Sequence, residues 1–175
     1  MRAISVQEPF GQLITLALKK GETRGEPWLA SRQGEYILLH TALKLAGQPL
    51  MGEAFAIARQ REDISDQQIA QCQSACCDGT TLGHVIAILE VGSTTHLNTP
   101  ALQQLWETRA FLPAAKLSGK HVTEIVRVYP FAKPWLFRGA QRVFHVEVQV
   151  DNLPVDLDPQ ILQRSVVQSE LSVDE

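Results

Sequence analysis

The chain opens on a short alternation. Residues Arg2–Val6 switch between faces at once and predict a strand. Phe10, Leu13, Ile14, Ala17 and Leu18 then recur at i, i+3, i+4, i+7 and i+8, the apolar stripe of a helix that Pro9 opens. Lys19 and Lys20 fall in its last turn, where positive charge suits the helix dipole. Gly21 is placed to stop that helix in the left-handed conformation, which a residue without a Cβ adopts freely. Beyond it the chain extends, so Glu22 and Arg24 face one side and Thr23 the other.

A loop over residues 25–34 carries Pro27 and Trp28, and Tyr36–Thr41 is nearly all apolar, which predicts a buried strand ending at His40 and Thr41. Residues 48–61 predict a helix anchored by Leu50, Phe55 and Ile57. Ser65 with Gln68 forms a capping-box pattern that starts a second helix, and Asp78-Gly79 turns the chain out of it. Residues 85–91 predict another apolar strand, with Glu90 near its end. Thr99-Pro100 begins a helix with Leu102, Leu105 and Trp106 on one face. Residues 122–129 alternate, 130–135 break the pattern as a connecting loop with two prolines, and 143–150 alternate again. The pattern also allows a short helix over 158–167. Five to six short strands with interspersed helices predict an α+β domain: a small mixed β-barrel over residues 1–150, with a helical insertion at about 45–80.

Composition adds little to that picture except at the C-terminus. The apolar fraction of 45% and charged fraction of 20% are ordinary for a globular protein. No apolar run approaches the roughly 18–20 residues of a membrane span, and the N-terminus enters the first strand without a leader pattern. Three cysteines, an odd number, argue against a disulfide framework and for a reducing, cytoplasmic setting. The net charge of −3 is concentrated in residues 151–175, an acidic tail with six acids and one arginine. Without the tail, 15 basic and 13 acidic residues leave +2, too little for a strong nucleic-acid footprint.

The segment from Lys19 to Arg24 is the densest candidate site. An amine, a carboxylate and a guanidinium converge at one helix end, which serves either a small polar ligand or a solvated set of surface ion pairs. Glu90 is either a rim residue or a buried acid with a cation such as Lys19 beside it, and His40 poses the same question on the other apolar strand. Trp28, Phe131 and Trp135 stand near Arg24, Arg32, Lys133 and Arg138; aromatic faces beside cations either stack nucleobases or cover the edge of a core. Cys72 and Cys76 share a helix face, but the paired Cys-x-x-Cys spacing of structural zinc is missing, so no metal is expected. No phosphate-binding glycine loop or nucleophile elbow occurs, and no cofactor is expected.

Four blocks in order carry a resemblance: Ser5-Val6-Gln7-Glu8-Pro9-Phe10; Lys19-x-x-Glu22-x-Arg24; Ile37-Leu38-Leu39-His40; and His84-Val85-Ile86-Ala87-Ile88-Leu89-Glu90-Val91 after Gly83. Together with Arg138-Gly139 before Val143-Phe144, they resemble the ASCH domain of the PUA-like superfamily, and within it the EOLA-type proteins. The resemblance implies a PUA-like barrel whose cleft, beside the first helix, is lined by the Lys-x-x-Glu-x-Arg segment. It also implies RNA binding or nucleoside chemistry. One branch hydrolyses the acetyl amide of N4-acetylcytidine with a lysine, a threonine and a glutamate, which correspond here to Lys19, Glu22 and Glu90. Other members resemble ribonucleases. A carboxylate at Glu22 does not replace an attacking hydroxyl, and Thr23 faces the other side of an extended segment. The expectation is therefore a binding cleft for RNA or a modified nucleoside, built from Lys19, Glu22, Arg24, Trp28, His40, Glu90 and Arg138, with no membrane partner. The alternative is a hydrolase in which Lys19, Glu22 and Glu90 are catalytic, and a protein-interaction role for the acidic tail is a third class.

Overall fold

The most hydrophobic strand lies near the middle of the sheet. In the computed structural model, which describes residues 1–148, 153, 154 and 157, the first strand β1 (Arg2–Val6) pairs in parallel with β3 (Tyr36–Thr41). Between them run helix α1 (Phe10–Thr15), strand β2 (Gly21–Arg24) and a 3-10 turn at Ala30–Arg32. Helices α2 (Gln48–Arg59) and α3 (Asp66–Asp78) follow, then β4 (His84–His96), α4 (Pro100–Ala110), α5 (Ala114–Leu117), β5 (His121–Leu136) and β6 (Val143–His145). The strands form one mixed sheet in the order β2-β5-β4-β3-β1-β6, curled into a half-barrel, an α+β fold. Among the described residues β1–β3 is the one parallel pairing, and the others are antiparallel.

Both faces of β3 are covered, which is why its sequence is a continuous apolar run. Ile37 and Leu39 pack with Ile4, Ile14 and Leu89 on one face, and Leu38 packs with Ala3, Ile88 and Phe131 on the other. A third cluster joins the helices, with Leu13, Phe55, Ile69, Cys72, Trp106 and Phe111 at its centre. Ser65 caps α3 through the reciprocal box with Gln68, and Gly79 ends it at φ 62°, both as the sequence pattern predicts. Among the described residues no helix is long and apolar enough to cross a membrane. Apart from residues 153, 154 and 157, the acidic tail lies outside the described residues, as does the helix expected over 158–167.

Several expectations are corrected. The first helix ends at Thr15, not at Gly21, because Ala17 takes the left-handed conformation at φ 55°. Leu18 N–H donates to the Leu13 carbonyl and Ala17 N–H to Ile14, a Schellman ending closed by the Leu13 and Leu18 side chains in one core cluster. Lys19 and Lys20 are therefore past the helix. Gly21 sits in β2 with no left-handed role. Its Cβ would lie 2.5 Å from the Trp106 ring and 2.6 Å from Val122, so bare backbone is required for α4 to pack there.

β4 extends to His96, which puts Glu90 in mid-strand instead of near its end. The expected loop at 130–135 is part of β5; the register jumps from Ala87–Pro130 to Val85–Trp135, so residues 131–134 bulge. Both prolines are tolerated because β2 pairs with β5 only at its beginning and the bulge releases ladder bonds. β6 is only three residues long, within the alternation expected over 143–150. Leu105 is exposed on α4, off the face that buries Trp106.

Candidate functional site

The early stop of α1 turns Lys19 inward. The residue is 1% exposed, the amine donates to the Gly21 carbonyl, and the Glu22 carboxylate lies 3.4 Å away. Burial pushes the Lys19 amine below its ordinary range, and Glu22 opposes the shift. Glu22, itself buried, holds Arg24 through its other oxygen at 2.9 Å. Arg24 in turn donates to the Ser5 carbonyl at 2.6 Å and lies 5.4 Å from the Trp28 ring. A short chain of alternating charge thus ties the loop after α1 to β2 and β1. The two-residue period of β2 aims Glu22 and Arg24 at the same side, as the sequence predicts.

This chain walls a cavity of about 670 Å³ whose other lining includes Phe10, Gln7, Leu50, Lys116 and Lys120. A second cavity, about 710 Å³, adjoins it. Ser5, Gln7 and Arg24 line both. The second contains Trp28, His40, Lys44, Arg138 and Arg142. The sequence candidates therefore divide: Lys19, Glu22 and Arg24 face the first lobe, while Trp28, His40 and Arg138 join Arg24 in the second.

His40 is committed to the wall. It is 2% exposed; its Nε2–H donates to the Phe137 carbonyl at 3.0 Å, so Nδ1 accepts from the Ser5 hydroxyl at 2.8 Å. Burial keeps the imidazole below the usual histidine range, hence neutral near pH 7. The loop 138–142 closes on this pair through bare backbone at Gly139, whose Cβ would lie 2.3 Å from His40 Cε1 and 2.9 Å from Ser5 Oγ. Arg142, at φ 61°, holds the left-handed conformation that costs a residue with a Cβ about 1 kcal/mol.

Glu90 lines neither cavity. It pairs across β4 with Tyr36 and Arg127, and its Oε2 is 3.7 Å from the Arg127 Nε. Lys19 has Glu22 as its carboxylate partner instead. Phe131 and Trp135 pack edge to face against each other, with Phe131 in the core, and neither lines these cavities. Cys72 is buried, and burial pushes its thiol up to about 12 and that of Cys76 up to about 11. Among the described residues no cluster of three or more His, Cys, Asp or Glu is placed to hold a metal.

Sequence reasoning missed Ser5, Gln7, Lys44, Lys116, Lys120 and Arg142 as cleft residues. Only Ser5 and Gln7 left a signal, as polar positions bordering an apolar strand. The lysines and Arg142 look like ordinary surface charge until the sheet and loops bring them together. Summed over both lobes, seven cationic side chains face one carboxylate, Glu22. A chain that is acidic overall thus has a basic cleft.

No family model matches the chain, and no curated protein matches it. Among solved structures it is similar to an ASCH protein from Zymomonas mobilis, at 14% identity and a TM-score of 0.48, over 95% of this chain and 93% of that one. Two single-substitution variants of the same Zymomonas mobilis protein are similar at 14% identity, with TM-scores of 0.49 and 0.47. Each match covers 95% of this chain, against 96% and 94% of those chains.

Proposed function

We propose that the cleft binds RNA or a modified nucleoside, with Arg24 as its central contact. The observation that carries this reading is the fixed Lys19–Glu22–Arg24 chain along a cavity wall, beside Phe10 in one lobe and Trp28 in the other. Two acceptors already orient the Arg24 guanidinium, so little freedom remains to be lost on binding. Its Nε is buried and has no hydrogen-bond partner among the described residues. Charged groups in a partly dry cleft reject analogues that lack the matching donor or acceptor, which is how selectivity arises without large net charge.

The test is a titration against short single-stranded RNAs and free nucleosides at low salt. Saturable binding that Arg24→Ala weakens by about 10-fold or more supports the reading, since charge-assisted hydrogen bonds contribute on that scale. An absence of binding by every ligand refutes it.

A second reading, hydrolysis of an acylated nucleoside, is favoured by one observation: burial lowers the Lys19 pKa, as a general base requires. In that reaction the neutral Lys19 amine takes a proton from water as the oxygen attacks the acetyl carbonyl, and the ammonium so formed returns it to the leaving nitrogen as the C–N bond breaks, giving acetate and the deacylated nucleoside. It ranks second because the Lys19 amine already has Gly21 and Glu22 as partners, and both favour its charged form. Turnover of N4-acetylcytidine that disappears in Lys19→Ala would reverse the ranking.

A further inference from the structure

Of the seven cations around the two adjoining lobes, Lys44, Lys120, Arg138 and Arg142 have no carboxylate partner among the described residues, more positive charge than a neutral nucleoside needs. We infer that the second lobe is a nucleotide subsite, and that the ligand is a single-stranded oligonucleotide running through both lobes with a linking phosphate at Arg24. This deepens the binding reading above and rests on it.

Size comes first. Each lobe, at about 670 and 710 Å³, falls within the roughly 300–1,000 Å³ of a site for one small organic ligand. One nucleotide per lobe fits; a lone nucleoside leaves one lobe empty. The lobes meet where Ser5, Gln7 and Arg24 line both, so a ligand continuous through them passes Arg24.

Charge gives the second line of argument. The ionised side chains lining the second lobe are Arg24, Lys44, Arg138 and Arg142, with no carboxylate among its lining residues. His40 adds no positive charge there, because burial keeps it neutral. Arg24 has Glu22 of the first lobe as its partner, whereas Lys44, Arg138 and Arg142 have no carboxylate partner among the described residues. Such a group suits phosphates spaced along a backbone, and guanidinium forks suit phosphate oxygens in particular. Trp28, half-buried and backed by Arg24 at 5.4 Å, supplies an aromatic face for a base in the same lobe.

The second lobe is also built, not incidental. Gly139 lets the loop carrying Arg138 and Arg142 press its main chain on Ser5 and His40, and the Ser5–His40–Phe137 hydrogen bonds hold that floor. Bases in a duplex are stacked inward and do not enter lobes of this size singly, so the strand is unpaired.

The test measures affinity for a nucleoside monophosphate, the matching dinucleotide, a single-stranded decamer as RNA and as DNA, a blunt-ended RNA duplex, and inorganic polyphosphate. The dinucleotide is expected to bind about 10-fold or more tightly than the monophosphate, because the second base and the linking phosphate engage together. Trp28→Ala and the double variant Arg138→Ala/Arg142→Ala should each shrink that ratio toward one. Both change partly or fully exposed side chains, and a thermal melt checks that each variant is folded. The decamer's affinity should fall with salt, and the RNA–DNA pair reports whether the ribose hydroxyl is read. Equal binding of monophosphate and dinucleotide overturns the two-lobe inference while leaving the single-site reading intact. Polyphosphate or duplex binding as tight as the decamer overturns it as well, since neither presents unpaired bases. No binding by any ligand overturns both readings.

Discussion

Removing the Glu22 carboxylate while keeping its shape isolates the buried ion chain. In Glu22→Gln the Lys19 amine loses its carboxylate counter-charge at a position that is 1% exposed and keeps the Gly21 carbonyl, while Arg24 keeps the Ser5 carbonyl and the Trp28 ring. Breaking a buried pair from one side costs about 3–5 kcal/mol, because the other charge stays desolvated and unpaired. Lys19→Met is the contrasting change. It removes the desolvated charge and leaves Glu22 with Arg24 at 2.9 Å, so its cost should stay within about 1–2 kcal/mol. The Lys19 pKa is depressed in the folded state, chiefly by burial. The unfolded chain therefore binds more protons between that depressed value and about 10.4, and stability rises with pH across that window. The Glu22→Gln deficit should accordingly shrink at high pH, where Lys19 sheds its proton. Urea unfolding at pH 7 and pH 9.5 reads this out. With a slope of about 2 kcal/mol/M, a loss of about 4 kcal/mol moves the midpoint by about 2 M. A Glu22→Gln midpoint within about 0.3 M of wild type, or a Lys19→Met loss as large as that of Glu22→Gln, would refute the account of the chain.

Gly21→Ala should destabilise by about 1–3 kcal/mol in a thermal or urea melt, through overpacking against Trp106 and Val122. An unchanged midpoint would mean that α4 yields without cost. The depressed pKa of His40 favours the folded state fully above about pH 6.5 and progressively less as pH falls below it, since the unfolded imidazole then binds the extra proton. His40→Gln should flatten that part of the stability–pH profile. Buried Glu8, whose pKa is raised chiefly by burial, slopes the opposite way above its unfolded value in both proteins and cancels in the difference. Ser65→Ala should cost about 0.5–2 kcal/mol through loss of the reciprocal cap with Gln68, and a wild-type midpoint would assign α3's stability to packing alone.

Local chemistry determined much of the frame. The alternation at Arg2–Val6, the apolar run at Tyr36–Thr41 and the box at Ser65 and Gln68 each specify an element within a few residues, because period and cap act over one or two turns. The shared orientation of Glu22 and Arg24 was equally legible, since it follows from extended geometry alone. Tertiary structure decided what lies across the sheet. The apolar stripe through Leu18 read as helix, but the chain leaves the helix at Ala17, where core packing of Leu13 and Leu18 closes a left-handed turn that alanine does not favour in isolation. Gly21 read as a helix stop and proved to be the space Trp106 occupies, a contact with a residue 85 positions later.

Glu90's partner was decided in the same way. The β3–β4–β5 register assigns it to Tyr36 and Arg127 and leaves Lys19 to Glu22. The cleft itself was least legible. Its basic character depends on lysines and arginines from four separate stretches meeting at two lobes, and their sequence neighbours carry no trace of that meeting. Charge summed along a chain is indifferent to position, whereas the field in a cleft depends on which side chains the fold brings within a Debye length of one another.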